Sequence, residues 1–133
     1  MTRATVIAAL RAYLSATYTG PIAILPEVAA EVITPPYAVI RIGSADQLYP
    51  GQAEIWDMNI LIGVFHDADV TTPANAEAQA GALFAVLDDP AGLFTHSAAT
   101  LAWSVLERST VEASIVENRW QHVAGFRGIV APV

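Results

Sequence analysis

Along residues 53–66 (AEIWDMNILIGVFH) the even positions Trp56, Met58, Ile60, Ile62 and Val64 are apolar, and Asp57 and Asn59 occupy the alternate side. A period of two is that of a strand with one buried face. From Ile60 onward Leu61 and Phe65 turn the other row apolar as well. The second half of this strand should therefore be covered on both faces, by a helix on one and by a second layer or another subunit on the other. The remaining chain reads as segments that pair with this strand or cover it.

Residues 5–18 repeat apolar side chains at Ile7, Leu10, Leu14 and Tyr18, with Val6 and Tyr13 beside them, which predicts a helix. Thr19-Gly20-Pro21 ends it, because Gly accepts the left-handed C-terminal conformation and Pro cannot continue a helix. Residues 22–36 form an apolar connection marked by Pro26 and Pro35-Pro36, with room for one helical turn around residues 27–31. Residues 37–43 (YAVIRIG) are rich in β-branched side chains and predict a first strand. Residues 44–52, with Tyr49-Pro50-Gly51 as the tight turn, then make an antiparallel hairpin with the central strand.

After a polar turn over residues 66–72, Thr72-Pro73 reads as an N-cap followed by Pro at the first helical position. The helix should run to about Leu87, with Ala76, Ala80, Leu83, Phe84 and Leu87 as its stripe, and Asp88-Asp89-Pro90 should close it. The last third predicts two or three strands: residues 101–109, a weaker segment at 111–117, and residues 120–130, where Gly125 and Gly128 break the pleat. The expected fold is one α+β domain over residues 1–133: a mainly antiparallel sheet of four or five strands with two helices on one face, in the order helix-strand-strand-helix-strand-strand.

Composition sharpens this picture. At 133 residues the chain can bury a core of its own. Its 54% hydrophobic content and mean hydropathy of +0.45, although inflated by Ala, exceed what a small monomer hides, which points to subunit contacts. A formal charge of −7, with six Arg and no Lys, removes the attraction that most nucleic-acid binders depend on. It suits a surface that lets DNA pass without holding it. The absence of Cys excludes disulfides, thiolate metal sites and Cys nucleophiles. Arg11 interrupts the apolar start before it makes a signal sequence, and no apolar run approaches the roughly 20 residues of a membrane span, so a soluble, intracellular chain is expected.

No stretch carries catalytic chemistry on its own. His66-Asp67-Ala68-Asp69 offers an imidazole and two carboxylates, with Asp88 and Asp89 as further acids, but the simpler account is a strand-to-helix turn held by side-chain-to-backbone bonds. Ser97 or Ser104 could be combined with His96 or His122, yet no Gly-x-Ser-x-Gly elbow is present and the histidines lie in separate segments. Glu54 and Asp57, three residues apart, would sit on opposite faces of a strand and make no acid/base pair. Gly125-Phe126-Arg127-Gly128 precedes no helix that could cradle a phosphate. Trp56, Trp103 and Trp120 fit packing or interface roles better than a nucleic-acid stacking platform. Catalytic residues, metal ligands and cofactors are all expected to be absent.

The layout resembles the tail terminator, or tail completion, proteins of long-tailed bacteriophages and phage-like particles. The resemblance runs through the first helix, the strand Pro35-Pro36-Tyr37-Ala38-Val39-Ile40-Arg41-Ile42-Gly43, the Trp-containing strand Ile55-Trp56-Asp57-Met58-Asn59-Ile60-Leu61-Ile62, the helix end Leu83-Phe84-Ala85-Val86-Leu87-Asp88, and the final strand from Trp120 to Val130. It covers most of the chain as layout and local pattern. The apolar connection before Pro36 and the lack of Lys depart from it and keep a neck or head-completion connector open.

The resemblance implies a structural, non-enzymatic virion protein forming a ring of six copies at the head-proximal end of a tail tube, assembled in the host bacterial cytoplasm. There it ends tube growth and contacts the tail tube protein and a neck protein. Outside this class, a small α+β ligand-binding module and an unrecognised enzyme are the alternatives. If the ring surrounds a DNA path, Asp46, Glu54, Asp57, Glu107, Glu112 and Glu117 are the candidate lumen acids, with Tyr49 and Phe94 added as lumen or interface positions. The plainer alternative is that the acids keep an apolar protein soluble.

Overall fold

The computed structural model describes residues 1–25 and 34–133. The helical turn expected around residues 27–31 lies outside the described residues. The elements are α1 (Arg3–Thr17), β1 (Ala23–Ile24), β2 (Tyr37–Gln47), β3 (Trp56–Asp67), α2 (Pro73–Asp88), α3 (Ala91–His96), β4 (Leu101–Val116) and β5 (Arg119–Pro132). They make a five-stranded sheet in the order β1-β2-β3-β5-β4, with β3 in the middle.

Three expectations are corrected. The sheet is mixed, because the two-residue β1 runs parallel to β2 while every other pairing is antiparallel. A third helix, α3, follows α2, so the order is helix, three strands, two helices, two strands. The strand read at residues 101–109 and the weaker segment at 111–117 are one strand, β4.

The helices form where caps and apolar rows coincide. The Thr5 N–H donates to Thr2 Oγ1 at 3.3 Å at the start of α1, and the Asn75 N–H donates to Thr72 Oγ1 at 3.3 Å at the start of α2. Val6, Leu10 and Leu14 are the buried row of α1, and α2 buries Ala76, Ala80, Leu83, Phe84 and Leu87 as its pattern predicts. On α3, Leu93 is buried and Phe94 stacks on Trp103 at 6.0 Å. Ser97 Oγ, just beyond α3, accepts from Trp103 Nε1 at 3.0 Å and donates to the Leu93 carbonyl at 2.7 Å.

All three helices contribute to a single core against one sheet face, made of Ile40, Met58, Ile60, Ile62, Val64, Leu106, Ala124, Phe126 and Val130 with the helix rows. The even row of β3 is the centre of that core. Bulges tune which side chains join it: the β2 register shifts between Ile42 and Ser44, and β4 shifts between Trp103 and Val105 and again between Arg108 and Thr110. Each shift moves the following side chains to the other face.

Candidate functional site

The other sheet face carries no helix among the described residues, and it is the largest surface on which the sequence-derived candidates meet. Its side chains follow from alternation and register: Tyr37, Val39 and Arg41 on β2, Asp57, Leu61 and Phe65 on β3, Val123, Arg127 and Ile129 on β5. After the β2 bulge Asp46 pairs with Asp57, and on β4 Glu107 pairs with Arg127 and Glu112 with Val123, so these residues share the helix-free face. Leu61, Phe65, Val39, Val123 and Ile129 are half-buried there by their neighbours. This is the second apolar row of β3, and one sheet layer leaves it open.

Two clusters order this face. Phe65 stacks on Tyr37 with ring centroids 5.0 Å apart, and Arg119 lies over the Tyr37 ring at 5.7 Å while its Nη1 donates to the Tyr37 hydroxyl at 2.8 Å. Toward the other end Arg127 grips Asp57 with a fork, Nη2 to Oδ2 at 2.9 Å and Nε to Oδ1 at 3.2 Å. The Arg127 hydrogen bonds hold the Asp57 carboxyl below its ordinary pKa, and Asp57 raises that of Arg127. The glycines fit the crowding: a Cβ on Gly125 would come within 2.7 Å of Thr110 Oγ1, and one on Gly63 would touch Phe65 at 3.4 Å.

The structure thus gathers four of the candidate acids, Asp46, Asp57, Glu107 and Glu112, on one face. Arg41, Arg119 and Arg127 share it, so its charge is mixed, which the one-dimensional count of acids does not reveal. Glu54 lies in the β2–β3 loop, 3.4 Å from the N-terminal ammonium and accepting from Trp56 Nε1 at 3.3 Å. Tyr49 is exposed on the same loop. Glu117 and Asn118 form the β4–β5 turn with positive φ of 49° and 61°. Phe94 is half-buried against Trp103 and the core. The turn after β3 is held as its sequence suggests, with the Asp69 N–H donating to Asp67 Oδ1 at 2.9 Å and Asn118 Nδ2 donating to Asp69 Oδ2 at 2.6 Å.

One polar grouping escapes sequence reasoning. His66 on β3 and His122 on β5 are diagonal neighbours on the helix-covered face, since Val64 pairs with His122 and His66 with Trp120. Both are buried. The His66 Nε2–H donates to Gln79 Oε1 on α2 at 2.8 Å, and the Nδ1 of each ring is buried without a partner among the described residues. Burial, then the neighbouring His66, lowers the His122 pKa against the opposing pull of Glu77. The two histidines lie far apart along the chain, so only strand pairing could reveal the contact.

Among the described residues, no three His, Cys, Asp or Glu side chains converge as metal ligands. A shallow groove of about 430 Å³ between the end of α1 and α2 is lined by Tyr18, Gly20, Pro21, Gln79, Ala82 and Val86 among others, with no carboxylate or imidazole in its wall. Among the described residues no helix is long and apolar enough to cross a membrane.

No protein-family model matches the chain, and no curated protein is similar to it in sequence. Its fold is similar to that of a chain in the virion of a native gene transfer agent (GTA) particle. The two are 17% identical, the match covers 93% of this chain and 92% of the other, and the TM-score is 0.57.

Proposed function

We propose that this chain is a structural virion protein of the tail terminator type. Copies close into a ring, six by the resemblance in its sequence, at the head-proximal end of a phage-type tail tube. There the ring ends tube growth, joins the tail to the neck and lets DNA pass without binding it. The observation that carries this reading is the likeness in fold to a GTA virion chain over nearly the whole length of both. It is supported by the helix-free sheet face, whose apolar row of Leu61, Phe65, Val123 and Ile129 one chain leaves uncovered, as expected of a subunit whose neighbours complete it.

A structural role also fits the chemistry. The acids and bases on the open face are taken up in ion pairs or spread across the sheet, and the groove between α1 and α2 has no acid/base pair in its wall. The test is deletion in the parent particle. Particles without the chain should carry tail tubes of uncontrolled length that do not join heads, and supplying the chain in trans should restore both. Tails of normal length, joined to heads, in the deletion would overturn the proposal.

A further inference from the structure

The outer edge of β4 is the strongest unassigned surface. β4 is an outside strand of the sheet with no strand beyond it among the described residues, and residues 107–116 are exposed at every position. From Thr110 to Val116 its pairing with β5 is regular, with no bulge to blunt it. On the helix side, opposite Ala124, His122 and Trp120, this stretch carries Val111, 49% exposed, Ala113, and Ile115, 56% exposed. The Asp88–Arg108 ion pair, which ties α2 to β4, lies before it. Monomeric proteins blunt such an edge with charge, bulges or a covering element, because its unpaired N–H and C=O groups invite another strand.

The hairpin turn decides which backbone groups of this edge are free. Glu117 and Asn118, both at positive φ, make a two-residue turn, so the flanking Val116 and Arg119 exchange both of their hydrogen bonds. Such pairs recur at every second residue of an antiparallel ladder, which turns Ser114, Glu112 and Thr110 toward β5 as well. The N–H and C=O groups of Ile115, Ala113 and Val111 therefore point outward. Free backbone groups and exposed apolar side chains belong to the same three residues.

We infer that this edge pairs with the β4 edge of a second copy, antiparallel, about a two-fold axis through Ala113. An axis normal to the sheet keeps helix side with helix side, and its position decides which residues meet. Centred on Glu112 it sets Glu112 against Glu112 and Ile115 against Ser109 at the bulge; centred on Ser114 it sets Val111 against Glu117 at the turn. Centred on Ala113 it sets Val111 against Ile115, Ala113 against Ala113 and Ile115 against Val111, all three as hydrogen-bonded pairs. Glu112 then faces Ser114 and Thr110 faces Val116, so no like charges stand directly opposite. The row is thus complementary to itself, which is the argument for a second copy as its partner. The inference goes beyond the proposed ring and does not rest on it, because edge pairing leaves the helix-free face of both copies uncovered for a separate contact.

The chain has no cysteine, so single introduced thiols report the register. Facing residues of a hydrogen-bonded antiparallel pair lie about 5.5 Å apart at Cα, within reach of a disulfide. Under mild oxidation Ala113→Cys should crosslink to its own copy, whereas Val111→Cys and Ile115→Cys should crosslink weakly alone and strongly when mixed. Ala113→Pro removes an outward N–H and spares the ladder to β5, so dimerisation followed by sedimentation should weaken roughly tenfold or more while the melting temperature stays near that of the wild type. No self-crosslink in Ala113→Cys, equal crosslinking of all three single variants, dimerisation indifferent to Ala113→Pro, or a wild type that is monomeric at every concentration would overturn the inference. An Ala113→Cys thiol open to maleimide in the purified protein, yet shielded without self-crosslinking in assembled particles, would give the edge to another virion protein and exclude the second copy. Rings that still close in Ala113→Pro while the crosslinkable dimer is lost would support two separate contacts. Register-specific crosslinks without any ring would leave this pairing standing and remove the ring.

Discussion

At the scale of single residues, the even row of β3 is legible because each of its side chains repeats a two-residue period, and the core forms around that row. Ile62 is fully buried in the middle of it. Ile62→Asp should abolish folding, since an unpaired buried charge costs at least several kcal/mol, against a typical total stability of about 5–15 kcal/mol. Asp67→Ala removes only the acceptor of the Asp69 N–H and should cost roughly 1 kcal/mol. Chemical denaturation of the two variants checks this, and equal midpoints would contradict the assigned faces. The His66–His122 contact is not legible, because adjacency of β3 and β5 is a property of the sheet. With the His122 pKa depressed in the fold, the unfolded chain takes up its proton first as pH falls below about 6.5. The stabilisation from neutral His122 is thus complete above that pH and is lost as pH falls through the folded value. Melting temperature should decline over this acidic window, and His122→Phe should flatten the decline; an unchanged profile in that variant would assign the acid sensitivity elsewhere.

At the scale of elements, α1, α2, β3 and β5 are legible from period and caps, whereas β4 misleads for a definable reason. Trp103 lies on the helix side, and the bulge at Ser104 puts Val105 on the opposite face although it follows Trp103 by two residues. A second bulge at Ser109 then returns Val111 to the helix side. Two changes of phase in one strand look like two short strands to any reading of alternation. The same effect at Gly43 hides the last four residues of β2. α3 escapes because six residues give too little periodicity, and Phe94, a lumen or interface position on sequence grounds, stacks on Trp103 while staying half-exposed. The Gly128 position, expected to break the pleat, is a close approach within an unbroken strand: a Cβ there would lie 3.0 Å from the Trp103 ring and 3.1 Å from Ile60. Gly128→Val should destabilise the protein by about 1–3 kcal/mol through overpacking, measured by thermal melting. Thr72→Ala, which removes the α2 cap, should cost about 1 kcal/mol by the same measurement.

At the scale of the whole molecule, the excess of apolar residues and the double-sided pattern of β3 already imply, in the sequence alone, a surface that one chain leaves uncovered. The fold places that surface on the helix-free face and adds an open β4 edge beside it. Charge is where sequence and structure differ most. A net charge of −7 suits an acidic or neutral surface beside a DNA path, yet Arg41, Arg119 and Arg127 stand among the acids of the open face. Weak affinity for polyphosphate is still expected with this mixing: the assembled protein should not retain duplex DNA even at low salt, where phosphate contacts are strongest. Retention in a gel-shift experiment would contradict a free DNA path. The central claim is closure into a ring, and direct imaging of the purified wild-type protein, with mass measurement across a concentration series, tests it most directly. The account predicts closed rings of a single copy number whose population grows with concentration. Monomers at every concentration, or open filaments without closed rings, would contradict it.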